Sequence, residues 1–350
     1  LTTDFEKIFE ARATQVSRHK APSELIKITF SNGRNLIVTP EHPFWVLKGL
    51  DFITVPASSL KVGQFVPAPR ILPIKGVEQA IPVRDCTLAS TFTLHNDSKF
   101  SRFLGYLITD GGYEINGGKK NGINFTNNNM QPIKDFCRLS RDIFGLSPYI
   151  QKRVEKATMA GVISMPLVRY LTSIHPNLLE TSTEKTIPEI FMRTTNENVA
   201  EMLKAMFESD GYVTKNRVSF VSPNQRLAEQ VQTLLLRFGI RSRIFEEILP
   251  SNKKFYRVTI TGIENLKKFK ENIGFVSQKK NKKLDEQLKG KYRILKDIVP
   301  EVGKEVSRLA KQLKLKESRI LGYSITPFKK TGNLSRKSLQ RFVLEFYNKM

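Results

Sequence analysis

Phe103-Leu-Gly-Tyr-Leu-Ile-Thr-Asp110-Gly111 is answered further along the chain by Leu203-Lys-Ala-Met-Phe-Glu-Ser-Asp210-Gly211. Each is an apolar run of helical length that ends in an acid and a glycine. Polar residues upstream, Asn96-Asp97-Ser98 and Thr195-Asn196, supply N-caps. The glycine is expected to stop the helix in the left-handed conformation. Apolar residues surround each helix instead of forming one stripe, which predicts burial on most sides. Gly105 and Thr109 share a face of the first helix, Ala205 and Ser209 the same face of the second. Small residues at that spacing let two backbones come close.

Packed in parallel, the two helices would set Asp110 beside Asp210. That arrangement is unfavourable alone, because a carboxylate at a helix C-terminus opposes the macrodipole and two neighbouring carboxylates repel. A divalent cation relieves both. One copy would read as a solvated stop residue; two copies inside a larger repeat favour a site. Asn121–Phe125 and Asn216–Phe220 read as equivalent strands, and Met130–Phe144 and Gln225–Phe238 as equivalent helices. Both helices run into Phe-Gly plus an aliphatic residue, Phe144-Gly145-Leu146 and Phe238-Gly239-Ile240. The expected unit is helix-strand-strand-helix-strand-strand-helix, given twice: an α+β pseudo-dimer over residues 85–283, with repeats at about 97–190 and 191–283. Its two antiparallel sheets would expose Asn124, Thr126, Gln151 and Arg153 in the first half. Arg217, Ser219, Arg241, Arg243, Lys254 and Arg257 occupy similar places in the second. Arg and amide groups at two-residue spacing can read base edges, and Lys or Arg at the rims can contact phosphates.

Composition points the same way. The 350 residues carry 57 Lys+Arg against 33 Asp+Glu, a net charge of +24, which implies a polyanionic partner such as nucleic acid. From Lys279 onward there are 20 Lys+Arg against 7 Asp+Glu, so over half of the excess lies in the last fifth. Cys86 and Cys137 are too few for a disulfide framework and lack zinc spacing, which suits a reducing cytoplasm. No apolar run reaches membrane-spanning length, and no signal peptide is visible. The start at Leu1, without an initiator Met, suggests a processed or trimmed piece.

The paired pattern resembles the LAGLIDADG (DOD-type) homing endonucleases in the two-motif, single-chain form found inside archaeal inteins. That resemblance implies a monomer acting as a pseudo-dimer on a long double-stranded DNA site, with short 3′ overhangs. Asp110 and Asp210 would hold Mg²⁺, with Mn²⁺ as a substitute. It further implies an active-site lysine in each half. Lys185 lies 75 residues after Asp110, and Lys280 lies 70 after Asp210, although Lys279, Lys282 and Lys283 compete for the second place.

Residues 1–84 read as an all-β module, with a hairpin of Leu25–Phe30, a Ser31-Asn32-Gly33 turn and Leu36–Thr39. Gly33-Arg-Asn-Leu-Ile-Val-Thr39-Pro-Glu-His42-Pro-Phe44 resembles a block of intein Hint domains, in which the threonine and histidine assist the acyl shift. Thr39 and His42 are then splicing remnants. No Cys or Ser opens the chain and no His-Asn pair closes it, so the piece as written is expected not to splice. Residues 284–350 read as a small basic helical module. Its stripes are Val306, Leu309, Ala310, Leu313 and Leu339, Phe342, Val343, Phe346, and a loop between them carries Lys329 and Lys330. This module resembles the accessory DNA-binding domain of some archaeal intein endonucleases; a helical lid is the competing reading. The functional expectation is a Mg²⁺-dependent site-specific DNA endonuclease. A splicing-incompetent intein fragment, a maturase-like binder without nuclease activity and a binder acting by charge alone are the alternatives.

Overall fold

A computed structural model describes residues 1–49, 51–78, 81, 97–152, 155–289, 298–314 and 332–348. Asn96, Cys86, Arg153, Lys329 and Lys330 lie outside the described residues. The chain divides into two compact units. The larger comprises residues 1–12, 30–34 and 69–293, and the smaller residues 13–29, 35–68 and 294–350.

The larger unit opens with a minimal strand pair, β1 (Thr2–Thr3) and β2 (Ile8–Phe9). Its first repeat follows as α1 (Ser98–Asp110), β7 (Gly111–Asn116), β8 (Lys119–Asn127), α2 (Met130–Phe144), β9 (Tyr149–Gln151), β10 (Thr158–Ile163) and α3 (Met165–Ile174). A single helical turn, α4 (Glu189–Met192), leads to the second repeat: α5 (Asn196–Asp210), β11 (Gly211–Thr214), β12 (Arg217–Ser222), α6 (Gln225–Arg237), β13 (Ser242–Ile248), β14 (Lys254–Thr261) and α7 (Ile263–Asn272). The second repeat adds one more helix, α8 (Gln278–Lys289). Both sheets are antiparallel with the same strand order, β7-β8-β10-β9 and β11-β12-β14-β13. The repeat legible in sequence is therefore a repeat of topology.

Alternation places the core. Ile123 and Phe125 of β8 and Ala160 and Val162 of β10 are buried, as are Val218, Phe220, Val258 and Ile260 in the second sheet. These residues join Phe103, Leu104, Leu107, Leu203, Met206 and Phe207 in one cluster, so the two motif helices form the centre of the unit.

The helix ends correct one expectation. Gly111 and Gly211 have φ of −82° and −101°, so neither is left-handed. Glycine is needed here for space: a Cβ would lie 2.5 Å from Leu107 Cα at Gly111 and 2.3 Å from the Phe207 oxygen at Gly211. The chain turns from helix directly into strand, folding back over its own last turn.

In the smaller unit, β3 (Ile26–Thr29) pairs with β4 (Asn35–Val38), and β5 (Pro43–Lys48) with β6 (Asp51–Pro56), both antiparallel. Gly33, in the expected turn, has φ +82°. Val46 and Ala57 are buried, whereas Ile37, Trp45 and Phe52 are exposed. Farther on, β15 (Ile298–Val299) pairs with β16 (Leu334–Ser335). The helices α9 (Gly303–Gln312) and α10 (Arg336–Tyr347) share a small core of Val302, Val306, Ala310, Leu334 and Phe342. Ser335 caps α10, its hydroxyl accepting from the Ser338 N–H at 3.1 Å. No helix among the described residues is long and apolar enough to cross a membrane.

Candidate active site

The site is built by α1 and α5. Asp97 caps α1 by accepting from the Phe100 N–H at 2.8 Å, and Thr195 caps α5 by accepting from Asn198. Where they meet, a Cβ on Gly105 would lie 2.4 Å from the Met202 oxygen and 2.9 Å from the Ala205 Cβ. Arg102 pairs with Glu201 at 3.1 Å and, through Nε, with Asp135 at 2.8 Å. Residue 102 thus lies beside 201 and residue 105 beside 202 and 205. The helices run parallel, and their C-terminal carboxylates interact electrostatically.

Each helix end is capped by a lysine. Lys185 is 2% exposed, and its Nζ donates to the carbonyls of Leu107 at 2.8 Å, Thr109 at 3.2 Å and Gly111. Lys280 Nζ donates to Phe207 at 3.3 Å, Gly211 at 2.7 Å and the Glu208 carbonyl. An ammonium here offsets the negative end of the helix macrodipole that the aspartates oppose. The position of Lys280 singles it out from the neighbouring lysines. All three donors of each ammonium are engaged by backbone.

Burial raises both carboxyls above the usual aspartate range, and Asp110 raises Asp210 further; Lys185 and Lys280 pull both back down. Asp110 also receives a hydrogen bond from Asn127, which favours its charged form. Burial pushes Lys185 down to about 8 against the upward pull of Asp110 and Asp210, and lowers Lys280 likewise. The site is a partly buried charge cluster, with Lys185 fully enclosed and Asp110, Asp210 and Lys280 half-buried, and perturbed groups of this kind concentrate in functional sites. Among the described residues no three His, Cys, Asp or Glu side chains converge as a metal cluster. A divalent cation at Asp110 and Asp210 would take its other ligands from phosphate oxygens and water, the coordination Mg²⁺ favours. The donor set fits that ion.

The sheet-face residues separate. Asn124 and Thr126 on β8 and Gln151 on β9 share the face turned from the core, by register with Gly161 and Met159. Asn124 is engaged there, its amide donating to the Tyr113 oxygen at 2.8 Å and to Glu114 at 3.1 Å. In the second sheet Arg217, Arg243 and Arg257 share the corresponding face. Arg243 and Arg257 flank the Phe245 ring at 5.2 and 5.6 Å. Arg241 lies just before β13. Two expected contacts are displaced. Ser219 is fully buried, facing the Thr259 hydroxyl at 3.4 Å. Lys254 is three residues from Arg257, hence on the opposite face, where it pairs with Glu246 at 2.8 Å. In the other unit, the His42 N–H donates to the Thr39 carbonyl at 3.1 Å, and the exposed His42 ring meets Phe44 edge-on at 5.3 Å.

Sequence reasoning passed over Asn127, Gln131, Glu208 and Gln230. Each left a trace: an amide or acid within a helix or in its first turn, or at the end of a strand. Gln230 grips the Ile187 backbone, its amide donating to the carbonyl and its oxygen accepting the N–H, both at 2.8 Å. Gln131 accepts from the Gln278 N–H at 3.1 Å. The segment bearing each lysine is therefore held by the opposite repeat.

Residues 197–274 match the model of the LAGLIDADG-like domain. The replication factor C small subunit of Methanocaldococcus jannaschii is 28% identical over 98% of this chain and 17% of its own length. The ATP-dependent DNA helicase Hel308 of the same organism is 28% identical over 78% of this chain and 22% of its own. This chain thus spans about a fifth of the length of these relatives. The solved structure of I-DmoI in complex with DNA and Mn has a TM-score of 0.41 and 17% identity, covering 51% of this chain and 98% of that one.

Proposed function

We propose that this chain is a site-specific double-strand DNA endonuclease of the homing type and of intein origin, acting as a monomeric pseudo-dimer. The observation that carries this reading is the duplicated centre, in which an acid ends each helix and a lysine caps it. Asp110 and Asp210 would hold Mg²⁺, or Mn²⁺ in its place. The ion supplies charge neutralisation and Lewis acidity at the scissile phosphodiesters when bound. Lys185 and Lys280 hold positive charge against the acids, offsetting their mutual repulsion and biasing both toward the deprotonated form that takes up a cation. Arg217, Arg243 and Arg257 supply a cationic face for the duplex, the chemistry expected of phosphate contact and guanine reading. One acid per half gives one centre for each strand.

A pool of plasmids carrying randomised inserts, incubated with Mg²⁺ or with EDTA, tests the reading. The wild-type chain linearises a subset only with Mg²⁺. Asp110→Asn lowers double-strand cleavage roughly a hundred- to a thousandfold, the scale for losing one charge-stabilising group, while DNA affinity holds. Undiminished linearisation by Asp110→Asn removes the assignment. Tight binding without any cutting favours a maturase-like binder.

Intein origin has its own support. Similar stretches occur in a replication factor and in a helicase, as they would if the element were inserted into unrelated hosts. Thr39 and His42, in the stretch that resembles a Hint block, would be its splicing remnants.

A further inference from the structure

The two lysine caps differ in what holds them. Glu208, two residues before Asp210, is 2% exposed. Its Oε2 accepts from the N–H groups of Val276 at 3.0 Å and Ser277 at 2.9 Å, immediately ahead of α8. Lys280 lies in the first turn of that helix, with its ammonium 3.9 Å from Glu208 Oε1. One buried carboxylate thus satisfies amides at the helix entrance, where a negative charge is favoured, and faces the lysine that the helix presents. The first repeat has Ile108 in the same place. Its lysine lies outside any helix, in a segment held by Gln230 on Ile187 and by Asn224, whose amide donates to the Thr183 carbonyl at 2.8 Å.

We infer that Glu208 is a positioning residue for Lys280, and that the two cleavage centres therefore rest on separate supports and can be uncoupled. Removing Glu208 turns a double-strand cut into a nick of one chosen strand. This rests on the nuclease reading above.

The test uses the full chain and a duplex with its two strands differently labelled. Glu208→Gln keeps the volume but loses the charge and one of the two acceptors; Glu208→Ala removes both. Each is expected to slow one strand roughly ten- to a hundredfold, as loss of positioning does, and to leave the other at the wild-type rate. The slowed strand is the one that Lys280→Met slows, and Lys185→Met slows its complement. Equal slowing of both strands, or slowing of the Lys185 strand, overturns the inference. Hydrogen exchange of the cation-free protein gives a readout that needs no cleavage. In Glu208→Ala, which removes the oxygen that both amides share, protection falls at residues 275–281 and holds at 181–187. Unchanged protection at 275–281 overturns the inference even where the strands diverge. A wild-type chain that never cuts DNA sinks the nuclease reading alone, and the exchange result still decides whether Glu208 holds the Lys280 segment.

Discussion

The two repeats share a skeleton and differ in what they hang on it. Strand order, parallel motif helices and lysine caps recur. On the sheet faces turned from the core they part: the first shows Glu114, Asn124 and Gln151, the second Arg217, Arg243 and Arg257. Near the acids they part again. Asp110 has the Asn127 amide, whereas Asp210 has the buried Glu208 two residues away. The repeats share what packing and chain reversal require and differ in the side chains on the sheet faces turned from the core. Two unlike halves suit an asymmetric partner.

The largest expected effect tests whether the halves share one interface. Gly105→Val sets its Cβ 2.4 Å from the Met202 oxygen, where only backbone could yield. The two helices must separate, at a cost of about 3 kcal/mol, the upper end of ordinary overpacking. Ala205→Gly, across the same contact, opens space and costs about 1 kcal/mol through helix propensity. Denaturant midpoints decide it. Similar, small losses from both would mean that the central contact does not govern the fold.

The acids differ by less. A raised carboxyl lets the folded chain keep a proton that the unfolded chain has released. The stability it confers is present below the unfolded value and is lost as pH rises through the folded one. Replacing either acid with Asn removes that loss, so both variants melt above wild type at neutral pH in EDTA. Asp210→Asn gains more, because Asp110→Asn also weakens the useful bond from Asn127. One hydrogen bond to a charged group is worth about 1.5–3 kcal/mol, which bounds the difference. Thermal melts across pH measure it, and the advantage over wild type should close as pH falls below the ordinary aspartate value of 3.8. A larger gain for Asp110→Asn would reverse the reading of the two environments.

These contrasts mark how far the sequence could be read. Helix extents, caps, the close approach at Gly105 and the succession of elements along the chain follow from local pattern, because periodicity and capping are local. Gly111 was misread because glycine before a strand and glycine after a helix are the same letter; only the crowding at Leu107 tells them apart. Ser219 kept the expected face but is buried, a matter of neighbouring strands that spacing does not contain. Lys254 was misplaced by one step of parity. Glu208 was visible as an acid inside an apolar run, yet its partners at Val276 and Ser277 lie 68 and 69 residues away. Contacts of that range have no local signature.

The smallest effect lies on the sheet faces. Arg257 is not a bare cation: it pairs with Glu247 at 2.5 Å and stacks near Phe245. In the proposed complex a duplex phosphate would compete with that carboxylate, so the net worth of Arg257 to binding would be less than that of an open arginine. Arg257→Ala is expected to lower the slope of log affinity against log salt by about one, the share of one phosphate contact. Asn124→Ala, neutral and already committed to Tyr113 and Glu114, leaves the slope unchanged. Glu247→Gln frees the guanidinium and tightens binding by about 0.5 kcal/mol, within the range of an exposed ion pair. Salt titrations of a fixed duplex resolve all three. A tighter complex for Glu247→Gln that keeps the wild-type slope would mean Arg257 reads a base instead of a phosphate, and weaker binding would mean that Glu247 holds the guanidinium in the geometry the duplex needs.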